Sequence, residues 1–240
     1  MTLSDRLLTI AENIEKGQTM ADIGSDHGFL PEYLWTRGIC PKIIVTDLSK
    51  DSLEKARKAF PADPEGVDFR EGDGLKPLGP GEIDVVVIAG MGGVLITQIL
   101  GEDPLKSLSF KKYILQPRNG AGKLRFWLEK AGFDTVSEDL AREGNFICEI
   151  ISALPPCRMR VLPDLKEYTD EIGYEIPRNL KAGRGELFLD FIKKKAGVER
   201  DVLEEMKRGH AGKEALDRVI SRLEFLNEIL SEAGGSNEIR

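Results

Sequence analysis

Asp22, Gly24, Ser25, Asp26 and His27 crowd the end of one short apolar segment and are the residues with the clearest chemistry in this chain. Residues 20–28 read Met-Ala-Asp-Ile-Gly-Ser-Asp-His-Gly, and the apolar start of a helix follows at Phe29-Leu30-Pro31. Glycine permits the left-handed backbone of a tight turn. A strand feeding a helix through such a turn leaves backbone N–H groups and the helix N-terminus facing whatever lies above the sheet. The spacing is not Gly-x-Gly-x-x-Gly, and two acids with a histidine are poor company for a pyrophosphate. The loop suits a nucleotide-like ligand without phosphates whose reactive end is cationic, and S-adenosylmethionine is the commonest such cofactor.

Four further loops extend the pattern. Asp47 ends the run Ile43–Asp47 about twenty residues beyond the glycine turn, the distance at which a carboxylate bonds a ribose diol. Leu48 follows it, and Asp47 could instead cap the helix that begins near Ser49. Asp73 and Gly74 lie in Arg70–Leu75, where a carboxylate can accept the exocyclic amine of an adenine laid across the strand ends. Ala89, Gly90, Met91 and Gly92 lie in the run Ile88–Gly93, whose glycines bare backbone groups beside a sulfonium or allow a close-packed helix entry. Gln116, Arg118 and Asn119 end a fifth apolar run. Open α/β sheets bind ligands at the carboxyl ends of their strands, and all five loops belong there. His27 could orient Asp26 or take a proton, or complete a structural hydrogen bond at the helix start. Trp35 and Trp127 read as core.

Holding five such loops together requires a parallel sheet. Strands are predicted at Thr19–Ile23, Lys42–Thr46, Val67–Glu71, Ile83–Ala89 and Lys112–Gln116. Helices are predicted at Ser4–Glu15, Pro31–Arg37, Asp51–Phe60, Gly93–Leu100 and Gly122–Ala131. Alternating strands and helices give a parallel sheet covered on both faces. Two more strands, Asp134–Leu140 and Phe146–Ala153, flank Ala141–Asn145 and read as an antiparallel hairpin. That ending fits a seven-stranded, Rossmann-like class I methyltransferase sheet, whereas dehydrogenases usually finish on a parallel strand. After Pro155-Pro156 the chain becomes irregular, and from Glu186 to Ala233 it is helical. Phe188, Phe191, Ile192, Val198, Val202 and Met206 mark one apolar stripe; Leu216, Val219, Ile220, Leu223, Leu226 and Leu230 mark another. A coiled-coil-like antiparallel pair is expected, broken at Gly209–Gly212, with Gly234–Arg240 frayed. The expected division is an α/β domain over 1–157 and a helical C-terminal domain over 158–240.

The composition is that of an ordinary globular protein: 240 residues, 41% hydrophobic and 31% charged. Cys40, Cys148 and Cys157 form no Cys-x-x-Cys pair, and His27 and His210 are the only histidines, so neither a structural zinc nor a disulfide framework is expected. No apolar run approaches the about 20 residues of a membrane span, and residues 1–6 lack a signal-peptide core; a cytoplasmic monomer is expected, with a dimer left open. A net charge of −7 argues against a protein that coats polyanions generically. It allows a local basic patch: Arg118, Lys123 and Arg125 at the crevice rim, or Lys193, Lys194 and Lys195 with Arg200, Lys207 and Arg208 on the helical appendage.

The set Ala21–Pro31 (ADIGSDHGFLP), the sequence around Asp47 leading into Leu53–Ala56 (LEKA), Gly72–Leu75 (GDGL), Ile88–Gly93 (IAGMGG) and Ile114–Pro117 (ILQP) resembles the TrmK family of bacterial tRNA methyltransferases, which act on N1 of adenine 22. The likeness extends from Leu3–Leu7 through the C-terminal helical pair. It implies that Asp22, Gly24, Asp47, Asp73 and Gly74 bind S-adenosylmethionine, while Asp26, His27, Gly90, Met91 and Gly92 face the target adenine. By position Ser25, Leu48 and Ala89 join the cofactor set, and Gln116, Arg118, Asn119 and Lys193–Lys195 the tRNA set. The family commonly places asparagine directly after Leu-Gln-Pro; here Arg118 intervenes before Asn119. Three alternatives stay open on the residues alone: a small-molecule methyltransferase, a nicotinamide dehydrogenase, and a non-catalytic RNA-binding relative.

Overall fold

A central strand buried on both faces organises the first part of the chain. The computed structural model describes residues 3–62, 64–158, 162–169 and 171–232. In β4 (Val85–Gly92), Val86 and Ile88 point to one face and Val85 and Val87 to the other, and all four are fully buried. Each such side chain contributes roughly 1.5–3 kcal/mol of burial. The first face packs α4 (Gly93–Glu102) and α6 (Ala121–Ala131) through Ile96, Leu100, Leu124 and Leu128. The second packs α1 (Asp5–Glu12), α2 (Phe29–Thr36) and α3 (Lys50–Arg57) through Ile10, Leu30, Leu34 and Leu53.

Around β4 lie β1 (Met20–Ile23), β2 (Ile43–Asp47), β3 (Val67–Glu71), β5 (Lys112–Asn119), β6 (Asp134–Glu143) and β7 (Phe146–Leu154). Their order is β3-β2-β1-β4-β5-β7-β6 in one seven-stranded sheet. The first five run parallel, and β7 joins β5 antiparallel with β6 outside it. The strand order reverses between β1 and β4, which opens a crevice above their carboxyl ends. Several boundaries differ from expectation, and those of the later strands bear on the site. Both β4 and β5 run on past Ala89 and Gln116, carrying their glycine and polar residues into the sheet's upper edge. The hairpin turn is two residues rather than five, because Ala141, Arg142 and Glu143 pair with Cys148, Ile147 and Phe146. The short helix α5 (Pro104–Ser107), capped by Asp103, carried no periodic signal.

The chain forms two compact units, Met1–Lys181 and Ala182–Arg240. The expected division at 157/158 therefore moves, because the segment before Lys181 docks on α6 and β6. Glu138 accepts from the backbone N–H groups of Arg178 and Asn179 at 2.6 and 3.1 Å, and Tyr174 is buried with its carbonyl accepting from Arg125 at 3.0 Å. The second unit is α7 (Glu186–Arg208) and α8 (Lys213–Glu232), antiparallel as the pairs Arg184–Glu232 and Glu199–Arg222 require. Their seam runs through Ile192, Ala196 and Leu203, not Val198 and Val202, which are 61% and 37% exposed. Exposed His210 sits in the turn between the helices with φ +55°. Gly234–Arg240, expected to fray, lie outside the described residues. No helix among the described residues is long and apolar enough to cross a membrane.

Candidate functional site

The first loop is built around a buried carboxylate. Asp22 points to the α1 face of the sheet, is 6% exposed, and accepts a hydrogen bond from Ser25 Oγ at 2.6 Å. Burial pushes it up to about 6; the Ser25 hydrogen bond and the charge of Arg6 oppose that rise, and Asp47 adds to it. Gly24 turns the chain at φ +73°, and a Cβ there would collide with Met91 Cε. The Gly24 and Ser25 amides both donate to the Thr46 carbonyl, at 2.9 and 3.1 Å. This loop thereby leans on β2 and leaves its outer residues to the crevice.

Asp26 adopts φ +46°, a left-handed conformation that aspartate tolerates better than most residues. Its N–H donates to Asp47 Oδ2 at 3.4 Å, and its carboxylate lies 3.5 Å from His27 Nε2, with both side chains more than half exposed. The His27 ring stacks on Phe29 at 5.3 Å. Asp47 Oδ1 accepts from the Ser49 amide at 2.8 Å, while Ser49 itself caps α3 through the Ser52 amide. Asp47 thus braces the loop and does not cap the helix. Leu48 beside it is 70% exposed. Asp73 is exposed and pairs with Lys76 at 2.8 Å, and Gly74 turns at φ +53° against Ile99.

Above the central strands the register slips twice. Ala89 pairs with Gln116, Met91 with Pro117 and Gly92 with Asn119, so Gly90 on β4 and Arg118 on β5 are each skipped. Bulges of this kind re-aim strand ends. Arg118 is thus taken up in a bulge, and Asn119 stands across from Gly92. The glycine run divides its labour: Gly90 (φ +77°) has open space where a side chain would be, whereas a Cβ on Gly93 would strike the Gly120 carbonyl. The close-packed helix entry expected of this run falls at Gly93.

Arg6 is the site residue that sequence reasoning missed. Its Nη1 donates to Gln116 Oε1 at 3.0 Å, and the Gly90 amide donates to the same oxygen at 3.1 Å. Gln116 Nε2 donates to the Pro117 carbonyl at 3.0 Å, which fixes which way the amide faces. Arg6 Nε also donates to Glu143 Oε2 at 2.9 Å, and Ser4 Oγ donates to Glu143 Oε1 at 3.1 Å. The partners lie 110 and 137 residues from Arg6 along the chain, out of reach of any local pattern.

Of the expected basic residues, Arg125 is corrected. It is 6% exposed and held by Glu138 and Glu149, each at 2.6 Å, so it ties α6 to the hairpin and cannot meet a polyanion. Arg118 and Lys123 are exposed. Lys193 and Lys194 are exposed on α7, and Lys195 Nζ sits 5.0 Å from the Phe191 ring; all three belong to the second unit. Trp127 is core, and Trp35 is half-buried with Nε1 donating to the Glu65 carbonyl. Among the described residues no three His, Cys, Asp or Glu side chains gather as a metal ion would need.

A family profile for the methyltransferase domain matches residues 3–151. The tRNA (adenine(22)-N(1))-methyltransferase of Bacillus subtilis is 35% identical over 155 residues, a stretch spanning 64% of this chain and 65% of the relative. Among solved structures, a candidate tRNA (m1A22) methyltransferase of Streptococcus pneumoniae in complex with S-adenosyl-L-methionine superposes with TM-score 0.79 at 26% identity. That match covers 95% of this chain and 100% of the other. The B. subtilis m1A22 tRNA methyltransferase TrmK superposes with TM-score 0.77 at 27% identity, over 95% of this chain and 99% of that one.

Proposed function

This chain belongs to the TrmK branch of the methyltransferase-domain family, and we propose that it methylates N1 of an adenine in tRNA with S-adenosylmethionine as donor. The position matching adenine 22, named for the B. subtilis relative, is the target we assign. The observation that carries the reading is the convergence of Asp22, Asp47 and the Gly90 bulge at the carboxyl ends of three neighbouring strands. The cradle fits the cofactor: Gly24 turns left-handed, where a side chain is strained, the walls are carboxylates, and cationic groups suited to phosphates are few. Asp47 would hold the ribose, Asp73 and Leu48 the adenine, and Asp22, Gly24, Ser25, Gly74 and Ala89 the remaining surface. When bound, S-adenosylmethionine supplies an electrophilic methyl group on a sulfonium.

The chain's own residues then have three tasks. N1 of adenine already carries a lone pair, so positioning rather than deprotonation comes first. Asp26 is assigned to accept a hydrogen bond from the N6 amine and to stabilise the positive charge that develops on the base, with His27 orienting it. Gly90, Met91 and Gly92 present backbone to the base, and Gln116, expected among the tRNA contacts but only 3% exposed, holds Gly90 in place instead while Arg118 and Asn119 face the incoming strand. A paired or stacked adenine must leave its stack to reach this crevice, at a cost of a few kcal/mol. Lys193–Lys195 are assigned to the tRNA backbone, and the enzyme is taken to act as a cytoplasmic monomer. Methyl incorporation into unmodified tRNA, with the product nucleoside identified, tests the reading. A product other than 1-methyladenosine, or none, refutes it. Calorimetry with S-adenosylhomocysteine separates the cofactor half from the substrate half.

A further inference from the structure

Phe146 is 76% exposed, against 39% for Phe29 and 36% for Phe225. It does not hang on a loose loop. The hairpin turn is Gly144-Asn145, with positive φ (+57°) at Gly144 and not at Asn145, the pattern of a tight II′ turn. Phe146 is therefore held by a rigid two-strand support.

The register says where it points. Phe146 lies directly across from Glu143, and opposed residues share a face. Glu143 takes hydrogen bonds from Ser4 and Arg6 at the start of α1, so Phe146 stands on the α1 face. Asp22 and Gln116 point to that same face. Its height follows from the pairing of Leu115 with Ile151. Carried onward along both strands, that count sets the hairpin tip level with Arg118–Gly120, above the strand ends. β7 is two strands from β4, about 10 Å. Other apolar and aromatic groups share the rim with Arg118 and Asn119: the stacked His27–Phe29 pair, and Val94 and Leu95 at 37% and 47% exposure in the first turn of α4. An exposed flat ring beside a polar pocket, its neighbour Glu143 neutralised by Arg6, is a surface on which an unstacked base rests.

We propose that Phe146 stacks on an unpaired nucleotide next to the target adenine and keeps the tRNA strand splayed at the crevice mouth. The inference rests on the tRNA reading above and adds a substrate-positioning residue to it. Stacking repays part of what base extrusion costs, and it tolerates any base because every base has a π face.

The test is steady-state methylation of unmodified tRNA by Phe146→Ala, Phe146→Leu and Phe146→Trp, with S-adenosylhomocysteine calorimetry on each to confirm an intact pocket. Phe146→Ala should raise the tRNA KM about tenfold or more. Phe146→Leu, which keeps apolar bulk without a ring, should resemble it, and Phe146→Trp should stay within about threefold of the unaltered chain. Wild-type kinetics in Phe146→Ala, or full rescue by leucine, would overturn stacking and leave tRNA methylation standing. Absence of methyl transfer to tRNA by the unaltered chain would overturn the underlying reading, and this proposal with it.

Discussion

At the scale of single residues, the site joins groups that are costly to keep with groups that hold them. Asp22 is the costly one. Its native pKa of about 6 lies above the ordinary 3.8, so the folded chain binds that proton more readily than the unfolded chain. Stability then falls as pH rises from about 4 to 6, and the deficit is complete at neutral pH. Asp22→Asn should therefore raise stability at pH 7.5 by roughly 1–3 kcal/mol. The gain should vanish below about pH 4, where aspartate is protonated in both states. The same substitution should weaken S-adenosylhomocysteine binding. Thermal melts and calorimetry across pH read both, and a less stable variant at neutral pH would contradict the assignment. Asp26 is a different case, exposed and held in a left-handed turn. Asp26→Ala should lower kcat about 100-fold or more while changing cofactor affinity little, and near-normal turnover would remove it from the mechanism. These acids were legible in the sequence because chemistry of this kind sits in a short loop of five consecutive residues.

At the scale of elements, legibility stops where partners are distant. The five parallel strands and the two-helix appendage follow from local periodicity, so their existence and order could be read directly. Arg6 could not be read that way, since its meaning depends on Gln116 and Glu143 arriving from β5 and the hairpin. Arg125 misled for the same reason: a cation on a helix looks like surface until β6 and β7 bring Glu138 and Glu149 against it. The C-terminal stripe misled by phase, with Ala196 rather than Val198 completing the seam. Two predictions belong here. Arg6→Ala frees Gln116 and with it the Gly90 amide, while Asn13 still anchors the end of α1 to Asp139 and Ser152. Turnover should drop about tenfold or more with a small change in melting temperature, and Gln116→Ala in the same background should add little, as expected of coupled partners. Arg125→Ala should do the reverse. It leaves two buried carboxylates unpaired and should cost about 3–5 kcal/mol of stability, read by denaturant unfolding.

At the scale of the whole molecule, the question is how a chain of net charge −7 gathers a polyanion. The crevice cannot do it alone. Its lining is acidic, its rim carries aromatic and apolar groups, and one of the three cations expected there is locked inside the first unit. Of the three expected there, Arg118 and Lys123 remain exposed, too few for a substrate the size of tRNA. The second unit carries the run Lys193-Lys194-Lys195 on a helix whose apolar seam is already satisfied by its antiparallel partner. Under the proposed function, chemistry falls to the first unit and capture to the second. Its signature is in salt dependence, because every phosphate contact releases counterions and steepens the fall of affinity with salt. Replacing Lys193, Lys194 and Lys195 with glutamate should raise the tRNA KM and flatten the slope of log affinity against log salt by about 2–3, while S-adenosylhomocysteine binding stays unchanged. If the triple variant keeps both the KM and the slope, capture lies with Arg118 and Lys123. Charge reversal there should then carry the effect, and the helical pair would need another purpose.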